Sequence, residues 1–111
     1  MDDRELLELA AGAACVSGGW GEHIEYHNGA VDLRDIWILE GDEFVPWNPL
    51  DDDGDALRLA VKLRIGLHWC KSRRIYAHTE TVEECESSRE HSAENTRRAI
   101  VRAAAEIGRA M

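Results

Sequence analysis

His68, Cys70 and His78 come nearest to chemistry in this chain of 111 residues. His68 and Cys70 are two positions apart, so on an extended strand both stand on one face, and a hairpin would carry His78 beside them. Imidazole and thiolate together suit zinc. The same residue types would serve a Cys70 nucleophile activated by His68 or His78. Against both stands a plainer reading, a half-buried polar sheet face. No CxxC or HxxxH-type pair sits where a fourth ligand would be needed, and no motif orients a base. His23 and His27 share a face of their own strand by alternation alone.

The DDDGD stretch at 51–55 has the composition of a calcium loop. An EF-hand register from Asp51 places Ala56 where glycine is required and Lys62 where the bidentate acid belongs, so the register fails. Carboxylates also gather at a helix start because free amides and the dipole favour them. Arg98, Arg102 and Arg109, with Arg97, Lys71, Arg73 and Arg74 nearby, form the pattern of a phosphate or nucleic-acid contact. Glu94 lies four residues before Arg98 in the favourable ion-pair order, which fits a solvated helix face instead. Trp20, Trp37, Trp47 and Trp69 are generous for this length and read first as core. An exposed tryptophan beside the acids of residues 32–55 would make an aromatic-centred interface patch.

The elements that must position these residues follow from periodicity. Residues 3–15 carry a Leu6, Leu9, Ala10, Ala13 stripe, with Asp2 or Asp3 able to cap the first amides. Strands are expected at 23–27, 35–39 and 43–47, with Asn28-Gly29 and Gly41-Asp42 as turns. Pro46 and Pro49 force an extended, turned connection before Asp51, Asp52 and Asp53, any of which can cap a helix over 55–63. Ala56, Leu59, Ala60 and Leu63 form its buried side. Alternation over 65–70, a turn, and a second run over 74–79 predict a hairpin. Residues 80–91 show no periodic apolar face and are expected to be a solvated loop. From about Ser92 to Arg109, Thr96, Ala99, Ile100, Ala103, Ala104 and Ile107 gather on one side of a long helix. That side is mostly alanine, so the helix must approach the sheet closely.

Composition bounds the rest. With 44% apolar and 32% charged residues the chain is a globular domain, not a collagen-like, low-complexity or disordered one. A single domain over 1–111 is expected. Acids outnumber bases 22 to 13, for a formal charge of −9, which opposes nonspecific binding to nucleic acid or an anionic bilayer and favours neutral or basic partners. The asymmetry is sharp, because residues 1–63 hold 15 acids and 4 bases whereas 64–111 hold 7 and 9. Cys15, Cys70 and Cys85 have no framework spacing, and the opening residues lack the basic segment of a secretory signal, so a reducing cytoplasm is expected. No apolar run approaches the roughly 20 residues of a membrane span.

Three segments taken together, DRELLELAAGAA at the start, WNPLDDDGDALRLAVKL in the middle and NTRRAIVRAAAEIGRAM at the end, resemble short tailed-phage and prophage proteins carrying the phage ABA-sandwich domain. Residues 16–45 and 64–91 lie outside the likeness. It implies an α/β sandwich, in which a small, mostly antiparallel sheet packs with N-terminal, central and C-terminal helices. It carries over no catalytic residue and no cofactor. Trp47, Asn48 and Pro49 match its central motif, where their physical role is structural. The expectation is therefore a non-catalytic protein, monomeric or dimeric, that binds a host or phage macromolecule, with anti-defence or host takeover as a concrete version. Trp47, Asp51, Asp52, Asp53 and Asp55 are the expected partner-binding residues. A zinc protein using His68, Cys70 and His78, and a nucleic-acid binder using Arg98, Arg102 and Arg109, are the alternatives.

Overall fold

Each helix begins where a short polar side chain can accept from an otherwise unpaired amide. The computed structural model describes residues 2–15, 18–24, 32–40, 43–71, 74–87 and 92–111. Asp2 accepts from the Glu5 amide at 2.8 Å and starts α1, Asp3–Ala13. Asp52 accepts from the Asp55 amide at 2.8 Å and starts α2, Asp53–Leu63, two residues before the expected boundary. Ser92 accepts from the Asn95 amide at 3.2 Å and starts α3, Ala93–Arg109. Arg64 ends α2 in the left-handed region with φ 56°, and the Ile65 amide reaches back to the Ala60 carbonyl at 2.9 Å.

The described residues form six strands in two three-stranded sheets, where the sequence suggested one small sheet. β1 (Gly18–Ile24), β2 (Asp32–Glu40) and β3 (Glu43–Trp47) pair antiparallel in that order. β1 starts well before the strand expected at 23–27, since Gly18, Gly19 and Gly21 read as breakers, and residues 25–27 lie outside the described ones. So do the expected turns Asn28-Gly29 and Gly41-Asp42. The expected hairpin is present as β4 (Gly66–Trp69) against β5 (Arg74–His78), with His68 opposite Tyr76 and Trp69 opposite Ile75.

The solvated loop expected at 80–91 is corrected by β6, Glu83–Ser87, which pairs antiparallel with β5. Thr79 makes the turn, its Oγ1 accepting from the Val82 amide at 3.1 Å. Glu84 and Glu86 occupy the register positions opposite Ala77 and Ile75, which are buried. Acids at those positions erase the apolar alternation by which a strand is recognised. They are tolerated because β6 is an edge, where charge also discourages pairing with another chain.

One cluster of buried residues draws on α1, the end of β3, α2, β5 and α3. α3 lies at its centre and packs on α1, α2, β5 and β6. Its buried residues, Ala99, Ile100, Val101, Ala103, Ala104 and Ala105, extend beyond the single expected stripe, so two sides of the helix are covered. The approach to α1 is closest at Gly108, where a Cβ would fall inside the contact distance of the Leu9 carbonyl oxygen. Gly12 has nothing within 4 Å of that position.

Two substitutions to alanine should therefore differ in sign. Gly108→Ala is expected to lower stability by about 1–3 kcal/mol through forced displacement of α1. Gly12→Ala should raise it by about 0.5–1 kcal/mol through helix propensity. Urea unfolding of both variants measures the pair, and equal effects would contradict the close helix contact.

Candidate functional site

The acidic stretch is built first as a helix start. Asn48 organises it: its carbonyl accepts from the Asp51 and Asp52 amides at 3.1 and 2.9 Å, and its Oδ1 accepts from the Leu50 amide at 3.0 Å. The Asn48 amide donates to Asp55 Oδ2 at 3.0 Å, and Arg58 Nη2 donates to Asp55 Oδ1 at 2.8 Å. Arg97 reaches across from α3, with Nε donating to the Leu50 carbonyl at 2.7 Å and Nη1 to Asp53 Oδ1 at 2.6 Å. Asp52, Asp53 and Asp55 are thus engaged in capping, in joining α2 to α3 and in closing the turn. Asp51, Asp52 and Asp53 remain exposed.

Trp47 does not stand beside these acids as a surface anchor. It is only 6% exposed and belongs to the core with Pro49 and Leu50. Trp47 therefore stands in the core and not at the surface where a partner-binding anchor was expected. The exposed tryptophan among the described side chains is Trp69, at 48%.

His68, Cys70 and His78 share one face of the second sheet, as alternation requires, but along its length rather than at a point. In register, His78 stands opposite Gly66, His68 opposite Tyr76, and the Cys70 amide bonds the Arg74 carbonyl at 2.8 Å. His78 and Cys70 thus lie four positions apart along the hairpin, about 13 Å at strand rise. The His78 imidazole lies over Gly66, where an added Cβ would come within 2.7 Å of its Cε1. Among the described residues, no three His, Cys, Asp or Glu side chains come together to hold an ion.

The arginines of α3 are drawn into ion pairs. Arg98 Nη1 lies 3.2 Å from Asp3 on α1, and Arg109 Nη1 lies 2.9 Å from Glu106. Arg102 and Arg109 are close enough to β6 to act on Glu84. That carboxyl is pushed above the ordinary glutamate range by partial burial and by the Glu106 carboxylate, while the two arginines pull it back.

The surface that periodicity did not identify lies between α2, β4 and α3. Asp53, Leu57, Leu67, Trp69, Ala93, Thr96, Arg97 and Ile100 line an almost wholly apolar groove of about 260 Å³. Leu57 is 64% exposed, and Val61, one turn further along α2, is 70% exposed. Trp69 Nε1 donates to Thr96 Oγ1 at 3.3 Å, which fixes the indole against α3 with part of its ring outward. Exposed Asp51, Asp52, Asp53 and Glu94 stand at the end where both helices begin. The signal was present in the sequence. Leu57 and Val61 are i and i+4, off the side made by Ala56, Leu59, Ala60 and Leu63, and belong to a second apolar stripe that one buried face does not need.

Neither a family model, nor a curated protein, nor a solved structure matches the chain. No helix among the described residues is long and apolar enough to cross a membrane.

The position of Glu84 sets a pH dependence. A carboxyl whose pKa is higher in the folded than in the unfolded state contributes stability below the unfolded value and loses it as pH rises through the folded one. Glu84→Gln is therefore expected to raise Tm at neutral pH and to leave it nearly unchanged below the ordinary glutamate range. Thermal unfolding at the two pH values checks this, and a variant less stable at neutral pH would contradict it.

Proposed function

We propose that this chain is a non-catalytic accessory protein of a tailed phage or prophage, acting in the bacterial cytoplasm by binding a host or phage protein with a basic surface. Interference with host defence or redirection of a host process is the setting for such a protein. The observation that carries the binding role is the exposed apolar face of Leu57, Val61 and Trp69 beside the acids at the start of α2. Monomeric proteins seldom leave large apolar side chains adjacent on one face without a use for them, and aromatic anchors ringed by polar residues are the common form of a protein contact. The charge of −9 supports a basic partner by attracting it over distances greater than contact. The three-segment likeness to phage ABA-sandwich proteins supports the setting. The acids expected as the contact itself become its electrostatic rim, and Trp69 takes the place expected of Trp47.

The test is affinity capture from bacterial lysate, followed by reconstitution with the purified captured protein. Trp69→Ala is expected to weaken that binding at least about tenfold through slower retention, the effect of losing an interface anchor. Asp51→Asn combined with Asp53→Asn should mainly slow association and flatten its salt dependence. Affinity unchanged in both variants would contradict the reading. Capture of nucleic acid, released by salt and lost in Arg98→Ala, would favour the arginine face instead.

A further inference from the structure

The polar groups that line the Leu57–Trp69 groove already have partners within the chain. Thr96 Oγ1 donates to the Ser92 carbonyl at 2.8 Å and accepts from Trp69 at 3.3 Å. The Arg97 guanidinium is held by the Leu50 carbonyl and Asp53. What remains for a ligand is apolar surface from Leu57, Leu67, Trp69 and Ile100. The volume, about 260 Å³, is below the roughly 300–1,000 Å³ of sites that enclose a small molecule, and the groove is open on its outer side. It is of a size for one large side chain delivered from outside. Exposed Asp51, Asp52 and Glu94 stand at the end of the groove where α2 and α3 begin, and among the described lining residues the cation is Arg97, which is paired with Asp53. Those carboxylates would repel an acidic segment and attract a basic one.

We infer that the groove is a socket for a single bulky apolar side chain, leucine or larger, presented on a lysine- or arginine-rich segment of the partner. This rests on the binding role proposed above and specifies the chemistry of the occupant. Leu57 and Trp69 form the two walls, and the exposed Val61 extends the apolar contact one helical turn beyond the socket, where a second, smaller apolar residue of the same segment would lie.

The probe is a random-sequence peptide library displayed on particles and selected on the full-length chain. Recovered peptides are expected to share one large apolar residue flanked by lysine or arginine. A synthetic copy should shift the emission of Trp69 to shorter wavelength on binding, a change absent in Trp69→Phe. Replacing the large residue of the peptide by alanine, or Leu57 of the protein by glutamate, should each reduce affinity at least about tenfold. Leu57 is exposed, so Leu57→Glu leaves the core intact, and a circular dichroism spectrum like that of the parent confirms it. Val61→Glu is a second variant and is expected to have a smaller effect. Acidic or uniformly polar peptides, no recovered peptide, or binding indifferent to Leu57→Glu would overturn the inference. A concentration-dependent dimer in sedimentation that Leu57→Glu abolishes would assign the socket to a second copy and overturn it as well. Failure here with continued Trp69-dependent capture of a folded partner would leave the binding role standing, whereas loss of both would remove it.

Discussion

The close approach of α3 to its neighbours is the constraint on which the rest of the structure depends. A helix covered on two sides must present small side chains, because each added methyl group moves a neighbouring helix or strand outward. Ala99, Ala103, Ala104 and Ala105 meet that requirement, and Gly108 meets it where the backbone of α1 passes. The larger apolar groups, Leu6, Leu7, Ile75, Ile100 and Trp47, fill the spaces that the alanines leave at the margins. α1, α2 and the second sheet all take their positions from this one helix.

Arg97 extends the same control to α2. By holding the Leu50 carbonyl and Asp53 together, it fixes the rotation of α2 about its axis and so determines which residues turn inward. Ala56, Leu59 and Ala60 go to the core, and Leu57 and Val61 are left outside beside Trp69. The acids at residues 51–55 serve this arrangement before they serve any partner: Asp52 caps, Asp55 ties the turn, and Asp53 neutralises Arg97. Their remaining exposed oxygens give the groove its acidic rim.

Much of this architecture was legible in the residues. Capping narrowed the first helix start to Asp2 or Asp3 and the second to Asp51, Asp52 or Asp53, and the structure selects Asp2 and Asp52, while the alanine side of α3 announced close packing. β6 was not legible, because acids occupy the positions opposite Ala77 and Ile75 and the strand is specified by its neighbour rather than by its own pattern. The exchange of Trp47 for Trp69 was equally hidden. Both stand on strands beside charged residues, and which one is covered is a matter of tertiary packing that local spacing does not contain. The sharing of a strand face by His68 and Cys70 was correctly implied by alternation. The separation of Cys70 from His78 by four positions depends on hairpin register, in which Gly66 stands opposite His78.

In the proposed binding role of this acidic chain, charge supplies attraction, and the exposed apolar side chains of Leu57 and Trp69 supply retention. Hydroxyl-radical footprinting read by mass spectrometry tests that division between interior and contact face most directly. Oxidation of Trp69 and Leu57 in the free protein with protection of Trp47 is the predicted result, and protection of Trp69 with oxidation of Trp47 would contradict the account.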